Sequence, residues 1–148
     1  MIEFRPVRLE DRAAIERFTL PSDIRNCDLV FANMFCWQTV YRSSWAVVEG
    51  FLVVRFHIGG GTRIGYMQPV GEGDFTRIVP ALEADARALG QRLRLIGLTD
   101  QGRELLRRSC PGAFAFHSDR ASEDYIYRAD DLRQLPGRRY QPKRNHIN

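Results

Sequence analysis

Between Ser44 and Pro69 three β-rich segments, SWAVVE, FLVVRFH and RIGYMQP, follow one another with only Glu49-Gly50 and the Gly59-Gly60-Gly61-Thr62 loop between them. Their β-branched and aromatic residues suit a pleated, buried surface. Connections this short leave no room for a crossover helix, so the three must run antiparallel as a meander. Whatever else the chain does, it must pack on that sheet.

The flanking segments supply the layers. MIEFRPV reads as a first strand ending near Pro6, and LEDRAAIERF puts Leu9, Ala13 and Ile15 or Phe18 at helical spacing until Pro21-Ser22-Asp23 stops it. From Asp28 the residues Leu29, Val30, Asn33, Met34, Trp37, Val40 and Tyr41 fall on one helical stripe, expected to be core. After the meander Ile78, Val79, Leu82, Ala86 and Leu89 define another helical face. Pro80 lies inside that helix, and because proline is tolerated where amides are unpaired, Thr76 reads as a better N-cap than Asp74. RLRLIGL then reads as a strand, DQGRELLRR as a helix, AFAFH and DYIYR as strands, and ADDLRQL as a last helical turn. The predicted order is β-α-α-β-β-β-α-β-α-β-β.

A chain of 148 residues with 44% hydrophobic residues can bury one substantial core. The most apolar run, WAVVEGFLVVRF, is interrupted by Glu49, Gly50 and Arg55, and the N-terminus lacks the basic-then-apolar order of a signal peptide, so a cytoplasmic protein is expected. Cys27, Cys36 and Cys110 are odd in number and show no C-x-x-C spacing, which reads as buried free thiols. His57, His117 and His146 lie far apart, without metal-ligand spacing, so no metal site is expected. The net charge is +4, yet Arg133, Arg138, Arg139, Lys143 and Arg144 follow Asp131 with no acid among them, leaving the preceding part at −1. The body is nearly neutral and the tail basic. Lys143 is the one lysine among 22 basic residues.

MQPVGEGDF, Met67 to Phe75, carries Gln68-x-x-Gly71-x-Gly73 between a strand and a helix. Glycines let a backbone approach phosphate closely, and free amides at a helix start hold anions, so the spacing fits a coenzyme pyrophosphate cradle. Such a match arises by chance in roughly one chain in ten to twenty of this glycine content. Glu72 and Asp74 oppose a polyanion, each at a cost on the order of 1 kcal/mol at intermediate dielectric.

The element order resembles the GNAT acyltransferase fold, in which two helices follow the first strand, a meander follows them, and the phosphate loop lies between the fourth strand and third helix. Gln68, Gly71 and Gly73 fall where that family places its coenzyme A pyrophosphate motif. FRPVRLEDR, CDLVFANMFCWQTVY, YMQPVGEGDF and EDYIYRADDLRQLPGRRYQPKRNHIN together resemble the phosphatidylglycerol lysyltransferase C-terminal-domain-like family, whose most distinctive phrase is the closing Y-x-x-K-R-N-H-I-N. The resemblance implies an α/β (α+β) fold with a GNAT-like mixed sheet of six or seven strands flanked by helices. The segments around 62 to 68 and 92 to 98 should be adjacent and parallel, splaying to form the mouth of the acyl-donor cleft.

In that family two GNAT-like domains stand in tandem, and its relatives move lysine or alanine from an aminoacyl-tRNA to a lipid. The resemblance therefore implies a GNAT-like domain over 1–135 and a basic linker over 136–148 leading toward a second domain that is absent here. It makes this chain the N-terminal half of an acyl- or aminoacyl-transferase, truncated and catalytically incomplete alone. Coenzyme A or aminoacyl-tRNA would be the acyl donor. A non-catalytic binding or regulatory module on the same fold is the alternative.

In a GNAT-like core the carbonyl donor would be a backbone amide around Tyr66 to Gln68. Glu123, Asp124 and His117 are available as bases and Tyr125 or Tyr127 as acids, although each also reads as an ordinary surface or strand residue. The tail residues Arg138, Arg139, Lys143 and Arg144, with Asn145 and His146, read as an interdomain strap, as a site for tRNA or an anionic lipid head group with Tyr140 stacking on a base, or as a frayed terminus. If a second domain is missing, apolar residues near Tyr125, Tyr127 and Tyr140 should be exposed, and chains should pair with each other.

Overall fold

The centre of the molecule is the strand Phe51–Ile58 (β3), in a computed structural model that describes residues 2–147. Antiparallel neighbours flank it: Ser44–Val48 (β2), with Trp45 opposite Val54, and Arg63–Met67 (β4), with Arg55 opposite Tyr66. Arg5–Pro6 (β1) pairs with the outer side of β2, and Leu95–Ile96 (β6) lies parallel to β4. The two-residue strand Val70–Gly71 (β5) returns to β3. The sheet is thus six-stranded and mixed, ordered β1-β2-β3-β4-β6 with β5 on β3. The meander and the parallel pairing of the 62–68 and 92–98 segments are as the sequence implies, and the fold is GNAT-like α+β.

β3 is buried on both faces because its alternation serves two cores. Leu52 and Val54 join Ile15, Leu29, Met34 and Trp45 beneath the helices Arg12–Thr19 (α1) and Phe31–Tyr41 (α2). Phe51 and Val53 join Phe75, Ile78, Leu82 and Leu106 beneath Phe75–Ala88 (α3) and Asp100–Ser109 (α4). Helices therefore cover both sides of the meander.

Several local expectations are corrected. AFAFH and DYIYR form no strands. Phe114 and Phe116 are half-buried against the second core while their neighbours are exposed, so the alternation is real, but the backbone joins no ladder. Between the two segments Asp119 caps a tight turn at Arg120–Ser122, accepting from the Ala121 amide at 3.0 Å. The cap of α3 is Asp74, whose Oδ1 accepts from the Thr76 amide at 2.8 Å, so Thr76 is inside the helix. Pro80 lies past the first turn on an exposed position, where its missing amide leaves the Thr76 carbonyl without its usual helical partner. The α2 stripe divides: Met34 and Leu29 are buried, but Val30, Trp37, Val40 and Tyr41 are exposed. Cys27 and Cys36 are exposed and Cys110 is half-buried, so the thiols are not core residues.

The chain forms two compact units, Met1–Ser118 and Asp119–Asn148. The second holds Ala129–Gln134 (α5) and Gln141–Asn145 (α6), with Leu135 and Tyr140 buried.

Two polar groups pin the first unit. Asp11 is buried at the head of α1, where its Oδ2 accepts from the Arg8 amide at 2.9 Å and the Trp45 indole at 3.2 Å, and Arg5 pairs with its Oδ1 at 3.3 Å. Asp85 on α3 is more deeply buried, its side chain 0% exposed. Its Oδ2 accepts from the Tyr66 hydroxyl at 2.8 Å and from Arg55 Nη1 at 2.9 Å, and that guanidinium lies 4.1 Å from the centre of the Phe4 ring. Burial, followed by the hydrogen bond to Asp85 and its charge, holds the Tyr66 hydroxyl well above its ordinary pKa.

Replacing Asp85 with Ala strips Arg55 and Tyr66 of their shared acceptor and should cost about 3–5 kcal/mol of unfolding free energy, measured by urea titration. The unfolded tyrosine releases its proton near pH 10.0, while native Tyr66 retains it. Above that pH the unfolded state binds fewer protons, so the contribution of Tyr66 is complete below it and is lost as pH rises. Tyr66→Phe should therefore flatten part of the alkaline decline in stability.

Candidate functional site: the loop after the fourth strand

The loop from Gln68 to Asp74 leaves β4 at the point where β4 and β6 part. Before that point the strands are laced together, with the Tyr66 amide donating to the Arg94 carbonyl at 2.9 Å and the Gln68 amide to the Ile96 carbonyl at 3.0 Å. These are two of the amides considered as donors to an acyl carbonyl, and here the sheet takes both.

Beyond Ile96 the gap is bridged by side chains. Gln68 is buried, and its Oε1 accepts from the Thr99 amide at 2.8 Å and the Thr99 hydroxyl at 3.2 Å. Thr99 is in turn the N-cap of α4, its Oγ1 accepting from the Gly102 amide at 3.1 Å. Gly102 is glycine because the Gln68 amide occupies the space a Cβ would take. On the other side Asn26 donates to the Gly97 carbonyl at 3.4 Å. Gln68 is thus a bolt between β4 and α4, its amide oxygen taken by Thr99.

The glycines answer to a second constraint. Gly71 adopts φ +147°, in a region that L side chains rarely adopt, and a Cβ there would strike the Gly50 carbonyl. A Cβ on Gly73 would lie 2.5 Å from both the Glu49 carbonyl oxygen and the Phe51 ring. Gly50 faces Glu72 in the same way. The loop and the β2–β3 turn are therefore packed backbone against backbone, and Arg77 of α3 reinforces the contact through a 2.8 Å ion pair with Glu49. The spacing of Gly71 and Gly73 follows from this packing alone.

Electrostatics point the same way. Asp74 sits at the head of α3, the position a phosphate would occupy, and its hydrogen bonds with the Thr76 side chain and amide hold its carboxyl below the ordinary value. An incoming polyanion would meet a carboxylate that already satisfies a helix-start amide, with exposed Glu72 beside it.

The remaining candidates lie elsewhere in sequence and in kind. His117, Glu123 and Asp124 are exposed, with Glu123 3.9 Å from Arg120. In the second unit Tyr125 is exposed and Tyr127 half-buried, but Tyr140 is buried. That corrects the expectation of an exposed Tyr140 free to stack on a base. Its hydroxyl donates to Asp131 at 3.2 Å, and its ring meets that of Tyr127 at 6.3 Å between centroids. Arg144 is a structural residue, donating to the carbonyls of Leu135 and Gly137 and to Gln141 Oε1 at 2.6 Å. Lys143 lies 4.6 Å over the Tyr127 ring, Asn145 accepts from Gln141, and Arg138, Arg139 and His146 are exposed.

The sequence reading missed the buried Asp85, Tyr66 and Arg55. The signal was available: Asp85 stands three residues after Leu82 and one before Ala86, a charge on the apolar stripe of α3.

A mixed meander with a parallel fifth partner and a glycine loop at the parting of β4 and β6 places the chain in the GNAT-like class. More narrowly, the chain belongs to the family described as phosphatidylglycerol lysyltransferase, C-terminal, whose model matches residues 21–148. It is also similar to a conserved protein of unknown function from Bacteroides thetaiotaomicron VPI-5482, known from a crystal structure, with 41% identity and a TM-score of 0.90. The match covers 100% of this chain and 49% of that one, so the chain spans about half the length of this relative. No curated protein matches it. Among the described residues no helix is long and apolar enough to cross a membrane.

If packing dictates the glycines, Gly73→Ala should destabilise the protein without any ligand present, by about 1–3 kcal/mol as for other overpacked sites. Thermal unfolding of the purified protein tests this, and a neutral result would leave the glycine spacing without its packing explanation.

Proposed function

We propose that this chain is one GNAT-like half, the N-terminal one, of an acyl- or aminoacyl-transferase related to phosphatidylglycerol lysyltransferase, and that it is not catalytically complete alone. In this reading its own coenzyme loop is structural, and the chain contributes a scaffold and part of a cleft to a second domain. The observation that carries the reading is the state of the loop: Gln68 is bonded to Thr99, Gly71 and Gly73 are packed on the β2–β3 turn, and Asp74 caps α3. Gln68, Gly71, Gly73 and Asp74 thus each have a structural role that needs no ligand. The family match and the greater length of the Bacteroides relative support a two-domain protein.

The tail supports a second reading, a binding module for an anionic ligand such as tRNA or a lipid head group. Arg138, Arg139 and Lys143 are exposed within six residues of one another, with no ion pair among the described residues. Binding of that kind weakens steeply with salt. Loss of tRNA retention on Arg138→Glu with Arg139→Glu, at low salt and with unchanged stability, would favour it.

Coenzyme A tests the main reading. A ligand that binds only the native state stabilises it by about 2.7 kcal/mol at a hundredfold excess over Kd. Neither coenzyme A nor acetyl-coenzyme A at millimolar concentration should raise the melting temperature. A rise of several degrees, abolished by Gly71→Val in a protein that still folds, would restore an independent coenzyme site. Glu72→Gln with Asp74→Asn separates the causes: binding gained by the double variant means that charge alone silences the loop, and continued silence means that packing or the absent second domain does.

A further inference from the structure

We draw no further inference here: the strongest candidate, the uncharged outer face of α2 with Trp37, Val40 and Tyr41 exposed, is an unpartnered apolar helix face, and nothing in the structure shows what covers it.

Discussion

The carboxylate of Asp85 is the group on which the second layer of the molecule depends. It reaches down from α3 to a pair of facing residues, Arg55 on β3 and Tyr66 on β4, and so joins a helix and two strands at one oxygen. The second oxygen, Oδ1, is buried without a partner among the described residues. A charge in that position is tolerated only when paired, and removing either partner is costly in a way that exchanging apolar residues is not. Its value is positional: Ile78, Val79 and Leu82 could slide over the sheet at little cost, but two directed hydrogen bonds fix where α3 sits. With α3 fixed, Asp74 at its head and the loop before it are fixed as well.

That loop then obeys two neighbours. From one side the β2–β3 turn presses its backbone onto Gly71 and Gly73, and from the other Thr99 holds Gln68. The Arg77–Glu49 ion pair is mostly exposed and adds little energy by itself, but it crosses the same contact and agrees with its direction. The strands β4 and β6 therefore part into a region already filled by Gln68 and Asn26. Gln68 ties the segment after β4 to the segment after β6, and Asn26 holds the latter at Gly97.

The sequence made the layered sheet legible for a physical reason: short glycine turns between β-branched runs allow one meander, and the apolar stripes of α1 and α3 allow few ways to cover it. The parallel pairing of Tyr66 and Met67 with Leu95 and Ile96 followed from the element order. What stayed hidden was pairing that depends on third parties. AFAFH alternates as a strand does, but alternation reports burial of Phe114 and Phe116, not a hydrogen-bonded neighbour. The stripe from Leu29 to Tyr41 is apolar whether a helix lies in a core or at an interface, so periodicity could not say which face of α2 would be exposed. Pro80 argues for a helix start later than Asp74, and the burial of Phe75 outweighs that preference.

The glycine motif carries the most general consequence. A Gly-x-Gly spacing between a strand and a helix is ordinarily read through its ligand, since glycine admits phosphate. Here the same two residues are required by a backbone contact that exists with or without any ligand, as is the glycine of the facing turn. Motif and ligand are thereby uncoupled. Gly71 and Gly73 are favoured whether or not a coenzyme binds, because a side chain at either would press on the facing turn. Of the two acids in the loop, Glu72 is exposed while Asp74 is held as the cap of α3, and both present charges that a pyrophosphate would meet. The informative residue of such a loop is therefore the one between its glycines, where packing leaves the side chain free.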